Sequence, residues 1–517
     1  MFDTIFPELE ELADAHESMV IASITGWGLI EAAASARRLA AIAELVHRRT
    51  DSAAHAQWAC DDWDATAAEV AAALNLSHGK ASGQMYLATA LRDRLPHVAE
   101  AFAEGLLSYQ VVSTIAWRTQ LIKDDEALAL VDKSLARDAV RYGPLSATKT
   151  AQAIDAIIDE YDPGALRHTR ASARSREMVI DTPNTEGGVT PVWGRLYAHD
   201  AAVLERRLMQ MAHEVCDDDP RTIAQRRADA MGVLAAGGDR LVCGCGDADC
   251  PMASEASSSA SGVLVHVLAE EAAMETPVDP HNSGEPPASR PITPDMTLAE
   301  ALAPEPEPDP PAVKPPPALI LGEMLMPAPL LAEMLRAGAR VRPLRLPDPD
   351  NPPEPEPGYR PSTALADFIR CRDLTCRFPG CARPAEFCDI DHTIPYDAGG
   401  LTHPSNLKAL CRKHHLLKTF WAGWRDRQFP DGTVEWTSPS GQIYTTYPGS
   451  RLLFPRLCVP TGELPTPPTA QPDNGYCRGL AMPLRKRTRA QNRNRQIRAE
   501  RALNAAHIAE RNEPPPF

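Results

Sequence analysis

The stretch DIDHTIPYDAGGLTHPSNLKALCRKHHLLKT, residues 389–419, decides how this chain is read. An apolar, strand-like run, EFCDI, leads into Asp391 and His392. Asn406 follows 14 residues after His392, and His415 another nine. The pairs Gly-Gly and Asn-Leu punctuate the interval as turns. At the end, His414 and His415 stand side by side, three and four residues after Cys411. Neighbouring side chains on a helix diverge by about 100°. One metal ion does not easily take both, so the two histidines are expected to do different jobs.

Upstream lie Cys371, Cys376 and Cys381. Cys376 and Cys381 flank RFPG, whose Pro-Gly pair is a turn, and together they read as a knuckle that brings two thiolates to one ion. Cys411 and His414 are i, i+3 and share a helix face. Two thiolates from the knuckle, with a thiolate and an imidazole from the helix, make a Cys3His tetrahedral zinc site. The spacing leaves alternatives open: Cys371 and Cys388 are near, and His415 shares a face with Cys411 as readily as His414 does.

The ordered string Asp-His, Pro, Gly-Gly, Asn-Leu, Leu-Cys, His-His and Lys resembles the HNH nuclease motif, the ββα-metal fold. Many of its members carry a C-x2-C pair just before the last His, and here His414 stands at the second Cys. By that alignment His414 joins the structural zinc and His415 takes the catalytic position. The resemblance implies roles for each residue. His392 is the general base that deprotonates a water. Asp391 and His415 hold one divalent ion, which stabilises the phosphate and the departing alkoxide. Asn406 either braces the loop that orients His392 or supplies a metal oxygen. The ligand set suits Mg, Mn, Ni or Zn. Arg412, Lys413 and Lys418 on the same helix are the expected DNA contacts. Over 359–427 there are 11 Lys/Arg against 7 Asp/Glu, a basic segment in a chain of net charge −16.

The remaining sequence frames this module. The 517 residues suggest more than one domain. No run approaches the roughly 18 apolar residues of a membrane span, no secretory leader is evident, and the twelve cysteines are grouped as for metal rather than disulfides. The chain is therefore expected to be cytoplasmic, with no membrane partner; the sequence does not address its oligomeric state. Residues 8 to about 160 read as helix. Strands at REMVID and GGVTPVWGRLYA, two more helices and a strand near 262–271 follow. Residues 277–317 hold fourteen prolines and should be disordered. Segment 318–345 regains apolar content and is expected to pack with the 1–276 domain. A proline-acid linker covers 346–358, the nuclease module 359–450, and a proline-rich then basic tail 451–517. In that tail Arg485, Lys486 and Arg487 begin an 18-residue run with eight Lys/Arg and one acid, a candidate DNA-backbone arm.

Two further features stand out. Residues 68–91 have the outline of a helix-turn-helix, with Ser77 as a cap. CGCGDADC places Cys243, Cys245 and Cys250 together, either as a partial zinc site whose fourth ligand lies elsewhere or as a local loop of free thiols; His266 reads as a strand residue rather than the missing ligand. A long helical N-terminal region joined to the HNH string, together with the stretches RTIAQRRADAMGVLA, CGCGDADC, GYRPSTALADFIRCRDLTCRFPGC and DGTVEWTSPSGQIYTTYPGS, resembles actinobacterial, mycobacterial-type HNH endonuclease repeat proteins whose N-terminal domain is of unknown function. The fold class expected is thus multidomain: a mainly α N-terminal domain with a small β part, and a C-terminal HNH nuclease domain. The activity expected is metal-dependent DNA cleavage; the alternative is a non-catalytic DNA-binding protein on the same zinc scaffold.

Overall fold

The computed structural model describes residues 10–50, 52–138, 141–142, 145–167, 177–181, 189–247, 249–252, 265–277, 295–301, 316–321, 325–336, 339–348, 350–465 and 481–511. The chain forms two compact units, 1–171 with 347–451 and 455–517, and 172–346 with 452–454. Residues 1–276, read from composition as one domain, thus divide between the two units at 171/172.

The first unit opens with helices α1 (Glu17–Thr50), α2 (Asp62–Leu74), α3 (His78–Asp93), α4 (Pro96–Ala103), α5 (Tyr109–Arg118), α6 (Asp125–Arg137) and α7 (Ala147–Tyr161). Asp61, Ser77, Ser108, Asp124 and Ser146 each cap a helix start by accepting from the backbone N–H three residues on. Leu39, Met85, Leu95, Phe102, Ile115, Val131 and Ile154 meet in the core. The expectation that no segment suits a membrane span needs correction for α1. By length and composition it is apolar enough to cross a bilayer, because charges are sparse over a helical window even where no uninterrupted run is long. Its Leu39, Ile42, Ala43 and Val46 are buried in the helical core, whereas Met19, Ile21, Ile24 and Trp27 are exposed.

In the second unit β1 (Glu177–Ile180) and β2 (Val192–Arg195) pair antiparallel; the turn at 182–188 lies outside the described residues. Helices α8 (Ala198–His213) and α9 (Ile223–Ala235) follow, the latter started by a Thr222–Gln225 capping box. Strand β3 (Val267–Leu268) and short helices α10 (Glu271–Met274) and α11 (Leu298–Ala301) precede β4 (Ala318–Ile320), β5 (Leu325–Met326) and α12 (Ala328–Arg336). β4 lies between β3 and β5, so the apolar segment after the prolines pairs with residues 267–268. Most of 277–317 lies outside the described residues.

The chain then returns to the first unit with α13 (Thr363–Asp373), β6 (Cys388–His392), β7 (Leu407–Cys411) and α14 (Arg412–Phe420). β6 and β7 are antiparallel, with Cys388 opposite Cys411 and Asp391 opposite Lys408. Strands β8 (Arg425–Gln428), β9 (Val434–Thr437) and β10 (Ile443–Thr446) form the expected meander. Two sequence expectations change here. First, the ββα module does not hang on a linker: Cys60 and, from α2, Ala68 and Ala72 share a core with Phe378, Leu417, Trp424 and Trp436. The small alanines let the backbones approach. Second, within the segment read as a linker, residues 353–358 lie along the module. Glu356 bridges Thr402, and the Pro353 carbonyl accepts from His403 Nε2 at 2.9 Å. Extended proline-rich backbone has no internal hydrogen bonds, so its carbonyls are available to a neighbour. The basic tail is also built in, as α15 (Arg489–Arg511), where Arg501 meets Asp162 at 2.7 Å and Asn504 donates to the Gly164 carbonyl at 2.9 Å.

Candidate metal centre and active site

Cys376, Cys381, Cys411 and His414 converge, their ligand atoms all within 4.8 Å of one another. His414 Nδ1 lies 3.5 Å from Cys376 Sγ and 3.3 Å from Cys411 Sγ. A tetrahedral zinc with usual bond lengths separates sulfur from nitrogen by about 3.5 Å, so the four residues fit the ion. The knuckle needs its glycine: Gly380 sits at φ +71°, and a Cβ there would come 2.4 Å from the Leu76 carbonyl oxygen. The His414 ring stacks on Phe378, centroids 4.0 Å apart. One detail departs from the sequence reading. Cys411 ends β7 and caps α14 rather than lying within the helix. Of the alternatives, Cys371 stays on α13 outside the cluster. Cys388 turns its thiol to the Pro384 carbonyl at 3.3 Å, and His415 turns elsewhere.

On the other side of α14, His415 Nε2 is 3.5 Å from Asp391 Oδ1, and His415 Nδ1 is 2.9 Å from Asp389 Oδ2. Asp389 and Asp391 share one face of β6 because they are two residues apart on a strand. The 3.5 Å separation suits two donors on one divalent ion. Asp391 Oδ2 is taken by two ammonium groups, Lys408 at 2.9 Å and Lys418 at 2.7 Å, and both lysines also reach Asp426, at 2.6 and 3.1 Å. Burial pushes the Asp391 carboxyl up, but Lys408 and Lys418 outweigh it and hold the group well below the carboxylate range. Burial leads in lowering Lys408, whereas at Lys418 the two carboxylates overcome burial and raise it.

His392 faces its own small network. Its Nε2 is 2.9 Å from Thr402 Oγ1, and the Thr402 hydroxyl donates to the Gly358 carbonyl at 2.6 Å. A hydroxyl has one proton to give. Thr402 therefore accepts from His392 Nε2–H, which leaves Nδ1 as the basic nitrogen. Burial, the leading cause, lowers the His392 pKa from its ordinary 6.5. The Tyr359 ring stacks on the imidazole, centroids 5.3 Å apart. Asn406 spends its side chain as a brace: Oδ1 accepts from Ile394 N at 2.8 Å, and Nδ2 donates to the Ile394 and Leu401 carbonyls at 3.0 and 2.9 Å. Of the two roles open for Asn406, the loop brace is the one its contacts fill. The loop closes so tightly that a Cβ on Gly400 would come 1.8 Å from the Ile394 carbonyl oxygen.

The residues expected on DNA are placed unevenly. Lys418 is spent in the carboxylate cluster. Lys413 Nζ meets Asp64 at 2.9 Å, and Arg485 pairs with Asp61 at 2.9 Å and with Asp64. Arg412 is exposed, 3.5 Å from Asp389, and Lys486 and Arg487 are exposed. The helix-turn-helix outline is a packed hairpin. Ser77 does cap α3, but Ala81, Met85 and Leu91 of α3 are core, and its Tyr86 lies under Arg493 of α15. Sequence reading missed Asp389, Lys408, Asp426 and Thr402. It also missed Cys216, which joins Cys243, Cys245 and Cys250 in a second four-cysteine group.

A site of this kind, a ββα unit with paired Asp-His, a bracing Asn and a closing His beside a Cys3His group, is that of the HNH class, and known proteins agree. The profile for the domain of unknown function DUF222 matches residues 28–373, and that for HNH endonuclease matches 375–420. The chain belongs to the DUF222 family and carries a C-terminal HNH endonuclease domain. It is similar along its whole length to the uncharacterized protein Rv2100 of Mycobacterium tuberculosis H37Rv, 57% identical over 100% of this chain and 93% of the relative. It is similar also to the uncharacterized protein Rv3776 of the same strain, 54% identical over 100% and 95%. A third relative, the M. tuberculosis uncharacterized protein in est 3'region, is 53% identical over 71% of this chain and 100% of its own. No solved structure matches.

Proposed function

We propose that the protein is a metal-dependent DNA endonuclease. The observation that carries this reading is the disposition of His392. Its Nε2–H is engaged by Thr402, which leaves Nδ1 as the basic nitrogen, and burial lowers the pKa, favouring the neutral ring. Next to it in sequence, Asp391 pairs with His415 at 3.5 Å. In this reading His392 Nδ1 takes the proton of the attacking water. Asn406 fixes the loop that follows His392, and Lys408 and Lys418 keep Asp391 ionised. Asp391 Oδ1 and His415 Nε2 hold a divalent ion of the Mg, Mn, Ni or Zn type, which when bound supplies Lewis-acid stabilisation of the departing oxygen. Cys376, Cys381, Cys411 and His414 hold a structural zinc. The exposed Arg412, Lys486 and Arg487 are available to phosphates. The competing reading, a DNA-binding scaffold without cleavage, is favoured by the two lysines already on Asp391 Oδ2.

Plasmid nicking with added Mg or Mn decides between them. Wild type should convert supercoiled DNA, and His392→Ala should be slower by about a hundredfold or more, both binding DNA alike. The wild-type rate should climb with pH as His392 loses its proton, with a midpoint below 6.5 because its pKa is lowered, and level off through neutrality. Equal behaviour of the two proteins while both bind DNA rules out the enzyme.

A further inference from the structure

The second cysteine group lies in the unit that contains none of the nuclease residues. Cys216 follows the end of α8, and the other three lie in the loop after α9. That loop has no helix or strand among its described residues between 236 and 252. Its shape is held by a few polar contacts instead. Cys243 N donates to the Met252 carbonyl at 2.9 Å and Cys250 N to the Asp247 carbonyl at 3.2 Å, which closes a tight turn. Gly246, at φ +77°, supplies the left-handed residue between Cys245 and Cys250.

Asp219 ties this loop to the segment that bears Cys216. Its buried carboxylate accepts from Gly244 N, between two of the cysteines, at 2.8 Å. It also accepts from Arg221 N and Nε, each at 3.0 Å, and from Arg221 Nη2 at 2.7 Å. Arg221 in turn reaches the Val242 carbonyl at 2.7 Å. The four sulfurs are thus brought together by a prepared scaffold, from residues 27 or more apart in sequence for Cys216 and its nearest partner. Cys216 and Cys243 Sγ atoms are 3.2 Å apart, and all four sulfurs lie within 4.8 Å. Beneath them Leu208, Met211, Val215, Ala230 and Leu241 form a small apolar core.

A disulfide would consume two of these thiols and leave two beside it. Convergence of all four on one centre is what a tetrahedral thiolate site needs, with sulfur–sulfur edges of about 3.8 Å around zinc. We propose that Cys216, Cys243, Cys245 and Cys250 bind a second structural zinc ion, independent of the nuclease module. The ion staples the 236–252 loop to the end of α8, where the core is too small to do so unaided. Binding converts the thiols to thiolates and releases their protons to solvent.

The full chain, purified under reducing conditions, should contain two zinc ions by elemental mass spectrometry. Cys243→Ser should lower the count to one and Cys376→Ser likewise, through different sites. A wild-type count of one that Cys243→Ser keeps and Cys376→Ser loses overturns the proposal while leaving the nuclease zinc intact. A readout on wild type avoids reliance on a variant's folding. N-ethylmaleimide labelling of Cys216, Cys243, Cys245 and Cys250, followed by peptide mass mapping, should accelerate at least about tenfold when a strong zinc chelator is added. Rates at those four that ignore the chelator, or a disulfide between any two of them in the fresh protein, overturn it as well.

Discussion

His414 and His415 are adjacent in sequence, yet the two sides of α14 they serve have opposite character. The His414 side is closed. The imidazole is buried, stacked on Phe378, and surrounded by three thiols. The His415 side is half-open and charged, with Asp389 and Asp391 in reach and two lysines behind Asp391. A structural zinc wants four protein donors and no free position, whereas a catalytic ion wants an open one. A single helical step of about 100° is enough to separate these environments.

The comparison predicts unequal consequences for the two sides. Cys411→Ser should have the largest. It should remove the nuclease-module zinc and most of the module's stability, since zinc binding in such small sites supplies the folding free energy. Cleavage should fall to background. The melting transition should also shift for α2, because Ala68 and Ala72 share the module's core. Zinc analysis beside thermal unfolding checks this, and a variant that keeps both its zinc and its melting temperature contradicts the closed-site reading.

His415→Ala should leave zinc content and melting temperature near wild type and still lose cleavage. Removal of an ion worth several kcal/mol corresponds to at least about a hundredfold in rate. If this variant loses the zinc instead, the two histidines have exchanged roles.

The local arrangement was legible from sequence because its parts lie on turns and register-bound neighbours. Cys376 and Cys381 span one turn, and Cys411, His414 and His415 lie within five residues. Partners fixed by tertiary packing were not. Asp426 meets Lys408 and Lys418 only once the meander folds back, and Thr402 becomes a partner of His392 only when Gly358 fixes its hydroxyl. Cys216 is separated from its cluster by all of α9. The surroundings of the basic residues were the least legible. Lys413 and Arg485 read as DNA contacts, and in the fold both pair with Asp64 in the distant α2, a partner that nothing local to either residue announces.

Lys413 sets the smallest and most discriminating test, since it leaves α14 in a third direction. Its partner Asp64 also accepts from His78 Nε2 at 3.0 Å and Arg489 at 3.0 Å, and pairs with Arg485. The Asp64 carboxyl is held well below its usual range: burial raises it, but the His78 hydrogen bond and Lys413 charge, with Arg489, prevail. With those other partners in place, Lys413→Ala leaves the carboxylate compensated. The stability cost should stay within about 1 kcal/mol, as for a partly exposed pair. DNA affinity should keep its dependence on salt, because a lysine engaged with Asp64 displaces no counterions from phosphate. A slope reduced by about one in the logarithm of salt would mean that the wild-type lysine neutralises a phosphate in the complex. Lys413 would then leave Asp64 when DNA arrives, and the basic side of α14 would belong to the open face after all.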